Sequence, residues 1–291
     1  MAWLQVIIET NTSVAETIAD GLLAIGAVSV SLTDAEDNPL YEPPLNTTPL
    51  WEQVRLIGLF ADNTAHLAAQ LQTVFVPMPP YQIQKLEEQD WTKVWMDDFK
   101  PMQFGERVWI CPSWLSPPYP QAINIFLDPG LAFGTGLHPT TALCLEWLDK
   151  QVDLTGKIII DYGCGSGILA ITASKLGAKH VWAVDNDPQA LLATQDNAQR
   201  NNQETVISCV SPERLPKIKA DGILANILAN PLLELAPTLL AHLKPNATLI
   251  LSGILAEQTD EVIAAYKPFF TLTETIQRNE WMRIDCCTKT N

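Results

Sequence analysis

Residues 157–177 read KIIIDYGCGSGILAITASKLG. A run of three isoleucines passes through Asp161 into a glycine-rich turn, and an apolar stretch of good helix formers then carries the chain to Gly177. That order predicts strand, tight turn and helix, the unit from which open α/β sheets are wound. Ligands of such sheets bind at the carboxyl ends of the strands, and the first strand-to-helix turn is the usual place. Glycine is needed there because a side chain would block close approach of the backbone to the ligand. The spacing narrows the ligand. A dinucleotide fingerprint needs Gly163, Gly165 and a third glycine at position 168, but Ile168 stands there and the third glycine is Gly167, so the pattern is G-x-G-x-G. Asp185 follows Gly163 by 22 residues, at the end of the strand-like run KHVWAVD. A carboxylate at that point accepts hydrogen bonds from ribose hydroxyls. The turn therefore calls for a ligand that carries a ribose, with Gly163 and Asp185 in contact with it.

Working outward, strand and helix patterns alternate. The strands are KIIIDYG, KHVWAVD, TVISCV, DGILANI and ATLILSG, with helices expected near 167–176, 187–199, 231–243 and 256–267. Near-continuous apolar strands joined by crossover helices imply a parallel sheet covered on both faces. The tail FTLTETIQRNEWMRIDCCTK reads instead as two adjacent strands joined by a short turn. The expected architecture is a Rossmann-like, seven-stranded, mostly parallel α/β sheet with an antiparallel terminal hairpin. G-x-G-x-G preceded by Asp161, a ribose-type acid after the second strand and that hairpin resemble the class I methyltransferases, which bind S-adenosylmethionine.

The first hundred residues follow a different order. WLQVIIE (3–9) alternates as a strand, and 13–26 reads as a helix opening on Ser13 and closing on Gly26. AVSVSLTD (27–34) and QVRLIGLFA read as strands, NTAHLAAQLQTVF as a helix and YQIQKLE as a short strand. β-α-β-β-α-β is the order of a ferredoxin-like α+β domain, assigned to residues 1–86. Residues 87–102 are expected to form a linker helix, with Trp91, Trp95 and Phe99 on one face and an end at Pro101. Residues 103–291 make the second domain.

Composition limits the partners. The net charge of −15 offers few counterions to release, so direct binding to nucleic acid is not expected. Residues 1–100 hold 14 acidic against 4 basic side chains, two-thirds of the imbalance. That surface serves either simply for solubility or to steer a basic macromolecule. No uncharged run is long enough to span a bilayer, and the start of the chain lacks the pattern of an export signal, so no membrane and a cytoplasmic location are expected. The six cysteines and four histidines show no metal-ligand spacing, so no metal is expected, and the cysteines read as reduced thiols.

The run DGILANI places Asn226 at a strand end, followed by ILANP. Many amine-directed methyltransferases of this class carry an Asn or Asp there that accepts hydrogen bonds from the target nitrogen; here the polar head of that motif is present and its aromatic is absent. Asn226 is the candidate catalytic residue, and it also reads as a cap for the next helix. Methyl transfer from a sulfonium is an in-line displacement, so the nucleophile needs a free lone pair and alignment. An amine near a sulfonium in a dry site loses its proton readily, and a neutral amide orients it without restoring its charge.

With DWTKVWMDDFKPM, LDPGLAFGTGLHPTT, DYGCGSGILAI, VDNDP, ANILANP, LSGIL and EWMRI in place, residues 90–284 resemble the PrmA family, bacterial methyltransferases of the eleventh protein of the large ribosomal subunit. The resemblance implies a two-domain enzyme that trimethylates lysine side chains and the N-terminal amine, with the N-terminal domain gripping the basic ribosomal protein. It implies cofactor contacts at Thr141, Gly163, Asp185 and Asn226. Methylation of another protein or of a small-molecule amine is the alternative. FGTGLHPTT (133–141) lacks the Gly-Lys-Ser/Thr ending of a phosphate loop; the resemblance makes 128–138 a lid over the cofactor. His138, at the start of the helix PTTALCLEWLDK, reads either as a general base or as a structural hydrogen-bonding residue.

Overall fold

The computed structural model describes residues 3–36, 49–61, 66–77, 79–86, 99–128, 138–151 and 153–289. The chain divides into two compact units, Met1–Asp97 and Asp98–Asn291.

In the first unit, strand β1 (Trp3–Asn11), helix α1 (Thr12–Ala24), β2 (Ser29–Asp34), β3 (Gln53–Ala61), α2 (Leu67–Val74) and β4 (Tyr81–Leu86) appear in the expected order. The sheet runs β2-β3-β1-β4, with every neighbour antiparallel. Strand alternation sends Val6, Ile8, Val54, Leu56 and Phe60 to one face, where they bury against Ala15, Ile18, Leu22 of α1 and Leu67, Leu71 of α2. Ser13 is not the helix cap: α1 begins directly from β1 and the cap position falls on Asn11, whose side chain accepts from the Ser13 hydroxyl. Gly26 ends the helix as expected, at φ +98, with its N–H donating to Leu23 O. Most of the expected linker helix, 87–98, lies outside the described residues. Its last residues are not helical, because Met102 instead opens strand β5 and pairs with Ile110.

The second unit opens with a small sheet that periodicity did not reveal: β5 (Met102–Phe104), β6 (Val108–Cys111) and β7 (Ile123–Phe126). Its strands are three to four residues long, too short for alternation to register. Helix α3 (Pro139–Lys150) follows, and its buried Asp149 accepts from the N–H groups of Glu106, Arg107 and Val108 at 2.7–3.0 Å. Gly105 is obligatory there, since its φ is +67 and a Cβ would collide with the Asp149 carboxylate.

The main sheet comprises β8 (Ile158–Tyr162), β9 (His180–Val184), β10 (Ile207–Val210), β11 (Ala220–Asn226), β12 (Leu243–Leu255), β13 (Phe270–Arg278) and β14 (Trp281–Thr288). Their order is β10-β9-β8-β11-β12-β14-β13. The first five are parallel, and β14 inserts antiparallel between β12 and β13. The hairpin link is Asn279-Glu280, with Asn279 at φ +53. Helices α4 (Ile168–Lys175) and α5 (Pro188–Arg200) join α3 over one face, and α6 (Ala229–Ala241) and α7 (Thr259–Tyr266) cover the other. This is the expected mostly parallel α/β sheet with its antiparallel hairpin. Among the described residues no helix is long and apolar enough to cross a membrane.

Candidate active site

The β8–α4 turn is wound from left-handed glycines: Gly163, Gly165 and Gly167 have φ of +79, +54 and +78. Such values favour residues without a Cβ, and Gly163 has a second reason, since a Cβ there would strike Ile227. Four of the turn's amides are satisfied from within the protein. The N–H groups of Gly163 and Cys164 donate to Val184 O at 2.7 and 3.0 Å, and that of Gly167 to Cys164 O at 2.8 Å. The Gly165 N–H donates to Asp185 Oδ2 at 2.9 Å. Its carbonyls are braced from α5, with the Thr194 hydroxyl donating to Gly165 O and the Asn197 amide to Ser166 O, both at 2.9 Å. A phosphate cradle presents free N–H donors; these four are already taken, three of them by Val184 and Asp185. What it offers a ligand is carboxylate.

Two acidic side chains stand at the turn. Asp185 sits just past β9, half-buried, and its oxygens accept from Gly165 N and Asp187 N at 2.9 and 3.0 Å. Each carboxylate oxygen keeps a further lone pair, so the group is oriented yet able to accept from a diol. Asp161 is fully buried in β8. Its Oδ2 accepts from Ala170 N at 2.9 Å, while Oδ1 has no partner. Burial, with Asp185 nearby, pushes its carboxyl up to about 7, against the pull of the Ala170 amide.

The carboxyl end of β11 brings two sequence-distant residues together. Asn226 Nδ2 lies 3.3 Å from Oγ1 of Thr141, a fully buried residue in the first turn of α3. Ser252, beside Asn226 on β12, donates to Thr140 O, tying the same turn to the sheet. Ile227 is held between the two glycines that admit it: a Cβ on Gly163 would meet its side chain, and one on Gly253, at φ +86, its carbonyl. The structure thus joins Thr141 to Asn226, and Asp185 to the glycine turn through Gly165.

His138 occupies the cap of α3. Its Nδ1 accepts from Thr140 N at 3.4 Å and lies 2.8 Å from the Thr140 hydroxyl, and its ring meets Trp281 edge-on at 4.8 Å. Burial lowers its pKa below the usual histidine value, partly opposed by Glu280. These contacts give it the structural role. Cys164 is buried with its thiol pushed well above the ordinary value by desolvation, so it is packing rather than a nucleophile. Residues 129–137, with FGTG, lie outside the described residues.

Sequence reasoning missed Ile227, Thr194 and Asn197. The last two had a readable signal: with Asn201 they recur at helical spacing on the buried side of α5, where polar residues need a partner. Ile227 had none, because its role depends on two glycines it meets only in the fold.

Sheet order, glycine turn and paired acids define a class I, S-adenosylmethionine-dependent methyltransferase. The residues present fit that cofactor: carboxylates and an unanswered buried oxygen suit a cationic ligand that carries a ribose, and four of the turn's amides are already taken. The chain belongs to the ribosomal protein L11 methyltransferase (PrmA) family, whose sequence model matches residues 2–289. It is 53% identical over 288 residues to the ribosomal protein L11 methyltransferase of Pseudomonas fluorescens (strain SBW25), covering 98% of each chain. It is 52% identical, with the same coverage, to that of Pseudomonas aeruginosa (strain LESB58). A solved ribosomal protein L11 methylase from Lactobacillus delbrueckii subsp. bulgaricus is similar at 33% identity and a TM-score of 0.60, over 66% of this chain and 100% of that one.

Proposed function

We propose that this protein transfers methyl groups from S-adenosylmethionine to amines of ribosomal protein L11, the lysine side chains and the N-terminal amine, up to the trimethylated state. The observation that carries the reading is the Asn226–Thr141 contact beside a glycine turn whose ligand-facing groups are acids rather than amide donors. The cofactor supplies an electrophilic methyl on a sulfonium. Asp185 accepts from its ribose, Gly163 gives its backbone close approach, and Thr141 with Asn226 frames the methyl end. A lysine amine, with a pKa of about 10.4 in water, must give up its proton before attack, and a dry pocket beside a cation favours that loss. The Asn226 amide carries no charge, so it aligns the amine without stabilising the ammonium. The first unit, in the acidic third of the chain, grips the basic substrate. A ribosomal substrate implies work in the cytoplasm.

The test is incubation of the purified protein with methyl-labelled S-adenosylmethionine and ribosomal protein L11, followed by mass analysis of the peptides. Methyl groups on L11 amines are expected. Label confined to another protein, a small amine or RNA, or no transfer at all, would overturn the reading. A chain lacking residues 1–86 is expected to bind the cofactor and leave L11 unmethylated; normal methylation by it would refute the gripping role.

A further inference from the structure

A fully buried hydroxyl lies next to Asn226. Ser252 of β12 pairs with Asn226 of β11 in the parallel register, and its Oγ stands 3.2 Å from two carbonyls, Thr140 O in the first turn of α3 and Met282 O in β14. It also hydrogen-bonds the Cys144 side chain, one turn further along α3. A hydroxyl carries one proton, so a single donor is shared between helix and hairpin. An apolar side chain of that size would need no partner there; what the hydroxyl adds is a fixed point on the sheet for the start of α3. Thr141 follows Thr140 directly, is itself fully buried, and its Oγ1 accepts from Asn226 Nδ2 at 3.3 Å. The links close a ring: the Ser252 hydroxyl to the Thr140 carbonyl, the chain on to Thr141, the Thr141 hydroxyl to the Asn226 amide, and the β11–β12 pairing back to Ser252. A closed ring of buried hydrogen bonds leaves the amide little freedom. With Nδ2 spent on Thr141, Oδ1 is the atom left to accept from a target amine.

We propose that Ser252 is a positioning residue for methyl transfer, which acts by holding Thr140 so that Thr141 fixes the Asn226 amide. The inference rests on the alignment of the target amine by Asn226 set out above. In-line attack requires the nitrogen lone pair, the methyl carbon and the sulfur to stay in a line, and a displacement of about 1 Å can cost about 100-fold in rate. No bond is made or broken at Ser252, so its influence falls on the rate of transfer at saturation rather than on the capture of substrate.

The test is a cycle of variants of the full-length protein, assayed on ribosomal protein L11 with methyl-labelled S-adenosylmethionine, both at saturation. Ser252→Cys keeps the volume and puts a weak donor in place of the hydroxyl, and Ser252→Ala removes the donor altogether. Each should lower kcat by about 10-fold. Thr141→Val cuts the ring at its next link, keeping the shape of the side chain and leaving Asn226 in place. It should lower kcat by itself, and Ser252→Cys added to it should cost less than about a further 2-fold, because the link through which Ser252 acts is already gone. A merely structural Ser252 would slow both backgrounds by the same factor. That outcome, or wild-type kcat in Ser252→Cys, overturns the proposal and leaves the Asn226 reading standing. Undiminished kcat in Asn226→Ala, or no transfer to L11 by the parent protein, overturns both. Ser252→Cys decides the matter even if Ser252→Ala does not fold.

Discussion

The two faces of the seven-stranded sheet are made by the same strands and both carry an apolar core layer, but one of them also holds a row of buried polar side chains. Under α6 and α7, Ile160, Ile223, Leu249, Leu251 and Ile284 form a dry apolar layer. Beneath α3, alternate residues of the same strands present Asp161, Asn226, Ser252, Arg283 and Asp285. Period-two alternation lets one set of strands build an apolar layer on one side and, on the other, set polar side chains among the apolar Ile159, Leu224 and Ile250. The apolar face supplies stability that tolerates no choice of partner. The polar face ties α3, and Thr141 with it, to the sheet end where the ligand turn lies.

The contrast is most exposed at Arg283. Its guanidinium donates to Asp285 at 2.7 and 3.0 Å and to the Leu143 carbonyl of α3 at 2.9 Å, all out of contact with water. Arg283→Leu strands the buried Asp285, whose own carboxyl is already raised by burial, and should cost about 3–5 kcal/mol in denaturant unfolding. A loss below about 1 kcal/mol would mean the polar row is ornamental. On the other face, Leu249→Ala should cost about 2–5 kcal/mol through the cavity it leaves, while cofactor affinity in the folded fraction stays as it was. A parallel loss of affinity would erase the division between the faces. Asp185→Ala removes acceptors without touching either core layer: it should leave the melting temperature within a few degrees and weaken S-adenosylmethionine by about 10- to 100-fold, near 1.5–3 kcal/mol. Unchanged affinity by calorimetry would mean that the ribose lies elsewhere.

The last effect is a slope. Asp161 binds its proton more tightly folded, at about 7, than unfolded, at about 3.9. The folded state therefore holds more protons between those values, and this residue lowers stability as pH rises from about 4 to about 7. Asp161→Asn removes that contribution, so its stability relative to the parent should grow across pH 5, 6 and 7 in urea unfolding. Parallel curves would show that the buried carboxyl carries no such penalty.

Much of this was legible in the chain itself. KIIIDYGCGSG announced a strand-end glycine turn because glycine spacing and strand length are local properties, and the terminal hairpin was visible in the absence of a helix between 270 and 288. The expected helix boundaries for α4 to α7 fell within a few residues of those found. The cap at Ser13, the end of the 87–102 helix and the three-stranded sheet from 102 to 126 were not readable, since each turns on which backbone groups meet a partner far away.

The sequence by itself determined the alternation of strands and helices, the G-x-G-x-G turn that departs from a dinucleotide fingerprint, and the separate ferredoxin-like order at the start. Those follow from periodicity and from glycine's freedom at positive φ. Only the tertiary structure decided that Thr141 stands against Asn226 across 85 residues, that Ile227 fills the space over Gly163, and that Asp161 is left with one oxygen unanswered. Strand register and helix crossovers fix those meetings, and they are set by packing that no local stretch contains.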